Sequence, residues 1–131
     1  SFFVSNCDIL IEGDYAKMLK YHKEHKGKVT LVTSLKHFTI PYGVIELNGD
    51  SDVKSMIEKP EYDFLVNTGM YIVEPEVLND IPKNTFYHMT DLINDYIQKD
   101  EKIGVYPVSE GAWLDMGQFK EMEMMIERLG L

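Results

Sequence analysis

The stretch Lys28-Val29-Thr30-Leu31-Val32-Thr33 is apolar or β-branched at nearly every position. A strand with one wet face alternates apolar and polar residues, whereas a run without alternation is buried on both faces. Such a strand belongs inside a sheet covered by helices, and the residues before it supply one. Asp14 reads as an N-cap, with Tyr15, Met18, Leu19 and His22 at helical spacing and a stop at Gly27. Before that helix, the apolar run Ser1-Phe2-Phe3-Val4-Ser5 leads into Asn6-Cys7-Asp8, a buried strand that presents Asp8 at its carboxyl end. Strand, helix, strand in this order is a βαβ unit with a right-handed crossover.

The rest of the chain keeps the α/β alternation with a β-rich middle. Ile9 to Ile11 is a short apolar segment. Ser34 to Pro41 reads as a loop, with Pro41-Tyr42-Gly43 as its pivot. Val44–Leu47 and Val53–Glu58 flank the turn signal Asn48-Gly49-Asp50 and form a hairpin that ends on Glu58-Lys59-Pro60. Phe64-Leu65-Val66 leads through Asn67-Thr68-Gly69 into a strand over Met70–Val73. Pro75–Leu78 is a short helix, and Thr90 caps a longer one that gathers Leu92, Ile93, Tyr96 and Ile97 on one face. Ile103–Val108 is a further strand and Trp113–Gly117 a compact loop. Phe119, Met122, Ile126 and Leu129 then mark a last amphipathic helix. Its methionines, with Met116, suit either core packing or a contact surface.

The chain of 131 residues is long enough for one domain with a real core, and residues 1–131 read as a single, partial domain. A formal charge of −9, from 13 basic and 22 acidic residues with no basic run, excludes a nucleic-acid binder. No segment is long and apolar enough to span a membrane. The single cysteine, Cys7, forms no internal disulfide, which fits a cytoplasmic setting, and it reads as a small buried residue. His22 and His25 sit at a lysine-rich helix end and read as groups on a solvated face that suit the helix dipole, rather than as a metal pair.

The polar residues left at strand ends are Asp8, Gly43, Glu58 with Lys59, Asn67 with Gly69, and Asp115. Ligands bind outside the carboxyl ends of strands in open α/β sheets. Two carboxylates there suit Mg²⁺, a hard cation often held by one or two carboxylates plus substrate phosphates. A lysine suits a phosphate, and glycines let backbone approach a ligand. Taken singly, each residue has a plainer role: Asp8 starts a turn, the glycines make turns, Glu58 and Lys59 are solvated surface and Trp113 is core. No GxGxxG, GxxxxGK[ST] or GxSxG pattern occurs.

The phrases Val4-Ser5-Asn6-Cys7-Asp8, Pro41-Tyr42-Gly43-Val44, Ile57-Glu58-Lys59-Pro60, Val66-Asn67-Thr68-Gly69-Met70-Tyr71, Thr90-Asp91-Leu92-Ile93 and Trp113-Leu114-Asp115-Met116-Gly117 occur in this order. In this they resemble the sugar-phosphate nucleotidyltransferases, most of all the branch acting on mannose 1-phosphate or related sugar phosphates. The resemblance implies a Rossmann-like, GT-A-like mixed sheet flanked by helices. It implies Asp8 and Asp115 as ligands of a catalytic Mg²⁺ and Lys59 as the phosphate-binding catalytic lysine. Asn6, Gly43, Glu58, Asn67 and Gly69 would bind the sugar phosphate. The implied substrates are a sugar 1-phosphate and a nucleoside triphosphate.

The family's Gly-rich loop with its Arg and Lys does not occur in these residues and is expected N-terminal to Ser1. The chain taken alone is therefore expected to be inactive or nearly so. Unpaired strand edges, or the last helix, would then be the places for homo-oligomer contacts. The alternative from another functional class is a non-catalytic sugar-phosphate-binding or regulatory module with the same fold.

Overall fold

The computed structural model describes residues 1–130. Its main sheet has four strands in the order β1 (Phe2–Ser5), β6 (Glu61–Val73), β3 (Val29–Thr39), β7 (Ile103–Val108). β6 runs antiparallel to both β1 and β3, and β7 lies parallel to β3. β1 and β3, which precede and follow helix α1 (Tyr15–His25) in the main sheet, are thus parallel but not adjacent, because β6 is inserted between them. That departs from a simple βαβ pair.

The two faces of the sheet carry separate cores, and β6 shows why. Met70 and Ile72 point one way and pack with Val32, Ile11 and Met18 of α1. Tyr71 and Val73 point the other way and pack with Val29, Val77 and three residues of α2 (Met89–Gln98), Leu92, Ile93 and Tyr96. The period of two along a strand thus places one helix on each face. Each fully buried aliphatic side chain contributes about 1.5–3 kcal/mol.

Asp14 caps α1 as expected, its Oδ1 accepting from the Lys17 N–H at 3.1 Å. The longer helix begins two residues earlier than expected, because His88 rather than Thr90 is the N-cap and its N–H donates to Asp91 Oδ2 at 2.9 Å. Pro75–Asn79 is a single tight turn of 3₁₀ helix.

Several expectations are corrected. Ser34–Thr39 is not a loop: β3 continues to Thr39, paired with β6 residue by residue down to Thr39 opposite Glu61. This outer half is largely exposed and held by its partner strand, so no burial pattern marks it in the sequence. Phe64–Val66 belongs to the same long β6. Asp8 lies in a turn after β1, not at the strand's last position, and Cys7 beside it is exposed rather than buried.

Trp113–Asp115 is not a loop but strand β8, paired antiparallel with β2 (Ile9–Ile11). The expected hairpin is present as β4 (Val44–Asn48) and β5 (Asp52–Ile57), a two-stranded sheet of its own. In the last helix, α3 (Phe119–Leu129), Met125 is buried and Met122 half-buried, while Ile126 and Leu129 are exposed. The side chain of Phe119 and all of Leu131 lie outside the described residues. No described helix is long and apolar enough to cross a membrane.

His22 is not on a solvated face. It is fully buried, with Nε2–H donating to Glu74 Oε1 at 2.8 Å and Nδ1 lying 2.8 Å from Thr30 Oγ1. Ser1 Oγ donates to the same Glu74 oxygen at 2.6 Å, and that bond, ahead of the histidine's, holds the Glu74 carboxyl below the usual range.

Candidate active-site cleft

The Asn67-Thr68-Gly69 turn signal is expressed as a break in register inside β6. Asn67 pairs with Thr33 and Met70 with Val32, so Thr68 and Gly69 have no partner on β3. The bulge is fixed from within. Thr68 Oγ1 donates to the Val32 carbonyl at 2.7 Å and lies 3.3 Å from the Met70 N–H, which donates to it. The Gly69 N–H donates to Asn67 Oδ1 at 3.1 Å, and Asn67 Nδ2 donates to Tyr71 Oη at 2.7 Å. Gly69 has φ +87°, a conformation that favours glycine. Its carbonyl accepts from the Asn6 N–H at 3.0 Å, which ties the end of β1 to the bulge. Bulges recur beside active sites because they re-aim side chains.

This bulge forms one wall of a cleft of about 430 Å³. Asn6, Asn67, Gly69 and Asp115, all singled out in the sequence, line it. So do Ile9, Thr68, Tyr71, Trp113 and the first turn of α2 with His88, Met89 and Thr90. Those additional residues carry little signal in sequence, since each also reads as core or as a helix cap. The approach of α2 to β6 is a tertiary fact.

Asp115 reaches the cleft through the β2–β8 pairing, which sets it opposite Ile9. Its Oδ1 accepts from the Gly117 N–H at 2.9 Å, and its own N–H donates to Glu121 Oε2 at 2.6 Å. The Met116 N–H donates to the Asp8 carbonyl at 2.8 Å. The backbones of Asp8 and Asp115 are thus laced together although 107 positions separate them in the chain (115 − 8). Asp8 is exposed and is not part of the cleft lining.

Gly43, Glu58 and Lys59 form a second group at the base of the β4–β5 hairpin. They do not line the cleft. A Cβ on Gly43 would fall 3.1 Å from Glu58 Oε2, so the glycine gives that carboxylate room. Lys59 adopts a left-handed φ of 45°, and its N–H donates to the Tyr42 carbonyl at 3.2 Å. The polar strand ends are therefore gathered into two clusters rather than one.

The donor set suits Mg²⁺ in a limited way. Two partly or fully exposed carboxylates on adjoining backbones are hard oxygen donors, and neither is in an ion pair among the described residues. No group of three or more His, Cys, Asp or Glu side chains among the described residues could hold a metal. An ion held there would need further donors from substrate phosphates and water, since these two carboxylates make no closed protein cage.

The fold and this cleft define a nucleotidyltransferase-type α/β domain. Solved structures with this architecture include HddC from Yersinia pseudotuberculosis, with TM-score 0.67, 20% identity, and coverage of 98% of this chain and 55% of that one. A putative glucose-1-phosphate thymidylyltransferase from Bacillus anthracis has TM-score 0.60 and 16% identity, over 93% of this chain and 51% of its own. The family model described as "Nucleotidyl transferase" matches residues 1–129, and the chain belongs to that family.

Among curated relatives, a mannose-1-phosphate guanyltransferase from Saccharomyces cerevisiae is 30% identical over 132 residues, 92% of this chain and 34% of its own. Mannose-1-phosphate guanyltransferase 2 from Candida glabrata is 30% identical over 125 residues, again 92% of this chain and 34% of its own. The chain thus spans about a third of the length of these relatives.

Proposed function

We propose that this chain is the sugar-phosphate side of an enzyme that transfers a nucleoside monophosphate from a nucleoside triphosphate to a sugar 1-phosphate. The products are an NDP-sugar and pyrophosphate. The observation that carries the reading is the cleft at the Gly69 bulge, lined together by Asn6, Asn67 and Asp115, within a family match over residues 1–129.

The reaction forms a bond from a phosphate oxygen of the sugar 1-phosphate to the α-phosphorus of the triphosphate and breaks the bond to pyrophosphate. The nucleophile is already anionic, so alignment and charge neutralisation are what the protein must supply. Asn6, Asn67 and the Gly69 backbone offer hydrogen bonds to a bound sugar. Gly43, Glu58 and Lys59 at the hairpin base would offer further groups to sugar hydroxyls and phosphate. Asp8 and Asp115 would hold Mg²⁺, which when bound neutralises phosphate charge. A cytoplasmic setting belongs to the same proposal. The names of the relatives put mannose 1-phosphate and GTP first among substrates to try.

The test is pyrophosphate release by the full-length protein with a panel of sugar phosphates and nucleotides, beside Asp115→Ala and Asp8→Ala. Loss of metal-assisted charge stabilisation is worth several kcal/mol, so each variant is expected to lose about a hundred-fold or more in turnover. Undiminished turnover in either variant overturns the metal assignment. Sugar-phosphate binding without any turnover by the parent protein favours the non-catalytic module.

A further inference from the structure

Lys36 lies on the outer half of β3, opposite Phe64 of β6, on the same two-stranded arm that leads into the β4–β5 hairpin. Its side chain is folded inward rather than out to solvent, with only 18% of its surface exposed. The Nζ stands 5.0 Å from the centre of the Trp113 ring, 3.8 Å from Glu121 Oε1 and 3.7 Å from Glu110 Oε1. Glu121 is itself 77% covered (23% exposed), and its second oxygen, Oε2, takes the Asp115 N–H at 2.6 Å.

Resting on the nucleotidyltransferase reading, we propose that Lys36 and Glu121 are positioning residues that set the Asp115 carboxylate for the metal. Glu121 stands in the first turn of α3, close to Asp115 at the end of β8. An unrestrained carboxylate there could turn toward the cation and distort the Asp8–Asp115 pair. Both of its oxygens are engaged, one by Lys36 and one by the Asp115 backbone, so it acts on Asp115 and not as a ligand. The Glu121 bond fixes the Asp115 N–H, and the Gly117 N–H fixes the carboxylate at 2.9 Å. The aspartate is thereby held at both ends. The charge of Lys36 balances Glu121 and, through the Trp113 face, sets the wall of the cleft. Partners that orient a metal-binding group change metal affinity by about 10–100-fold when lost.

The test uses the full-length protein and two readouts. One is the Mg²⁺ concentration for half-maximal turnover. The other is direct Mn²⁺ binding followed by electron paramagnetic resonance, which needs no turnover. Lys36→Met keeps the aliphatic stem and removes the charge. It is expected to raise the half-saturating Mg²⁺ and the Mn²⁺ dissociation constant about ten-fold. Substrate KM values at saturating metal should stay within about two-fold, and Lys36→Arg should restore most of the affinity. Glu121→Gln, which keeps an acceptor for the Asp115 N–H but loses the charge, should fall between parent and Lys36→Met.

Asp115→Asn separates this inference from the reading it rests on. If Asp115→Asn weakens Mn²⁺ binding but Lys36→Met and Glu121→Gln do not, the positioning role is wrong and the metal site stands. If Asp115→Asn leaves Mn²⁺ binding unchanged, the metal site is wrong as well. A variant that lowers thermal stability while Mn²⁺ affinity is kept shows a purely structural pair and overturns the proposal.

Discussion

Gly69 and Asn6 meet so closely that a Cβ built on the glycine would fall 2.5 Å from Asn6 Nδ2. The two residues also share a backbone hydrogen bond, Asn6 N–H to the Gly69 carbonyl at 3.0 Å. Gly69→Ala therefore meets two obstacles, the left-handed φ and the asparagine side chain. The φ strain alone costs about 1–3 kcal/mol. The urea midpoint should fall accordingly at unchanged slope, and the KM for sugar phosphate in the full-length protein should rise as Asn6 is displaced. An unchanged midpoint would show that the bulge relaxes around a methyl group.

His22 joins α1 to the sheet through Thr30 and Glu74. Replacing it with Leu keeps apolar bulk but strands the buried Thr30 hydroxyl and removes the Glu74 bond. An unsatisfied buried group costs about 1–3 kcal/mol, and the lost bond to a charged partner adds a comparable amount, so about 2–4 kcal/mol is expected. A double variant with Thr30→Val should recover part of the loss, because the hydroxyl left without a partner is then gone. Equal destabilisation in the single and double variants, measured by urea unfolding, would show that the hydroxyl was not the source.

The outer arm carries a pH-dependent contact between facing residues of β3 and β6. Asp63 Oδ1 lies 2.7 Å from His37 Nδ1, and this hydrogen bond is the main cause that raises the imidazole above its ordinary value. Since the folded value exceeds the unfolded one of about 6.5, the protonated form favours the fold. The contribution is complete below about pH 6.5 and is lost as the pH climbs through the raised folded value. An NMR titration of the His37 ring should show the elevated midpoint, and Asp63→Asn should bring it down. An unmoved midpoint in that variant would assign the shift to Glu61 and Glu110 instead.

What was legible in the sequence follows from where burial writes a pattern. Val29–Thr33 and Met70–Val73 are covered on both faces, so their unbroken apolar runs announce them. Leu35–Thr39 gains its order from pairing with β6 and, Lys36 apart, is exposed, so nothing local distinguishes it from a loop. The insertion of β6 between β1 and β3 is likewise a matter of long-range partners. Gly69 was readable as a turn glycine, but a turn and a bulge make the same demand on glycine. Helical spacing grouped His22 with Met18 and Leu19, but its lysine-rich surroundings made it read as a solvated group, and it is buried. Its partners, 8 and 52 positions away, are what make a buried imidazole tenable there. The adjacency of Asp8 and Asp115 came from the family resemblance, and the β2–β8 register supplies its physical cause.

Asn67 separates architecture from recognition. Its amide already serves the bulge at both ends, Oδ1 to the Gly69 N–H and Nδ2 to Tyr71 Oη. An aspartate keeps both contacts, because the Tyr71 hydroxyl then donates where it had accepted. Asn67→Asp should therefore fold with a melting temperature close to that of the parent, whereas Asn67→Leu loses both bonds and about 1–3 kcal/mol. The aspartate also brings a negative charge into a cleft proposed to receive a phosphorylated sugar. At an effective dielectric near 20 a like charge several ångströms away costs on the order of 1–2 kcal/mol or more, so the KM for sugar phosphate should rise about ten-fold or more. A parent-like KM with parent-like stability would place the phosphate away from the bulge, nearer the Lys59 hairpin.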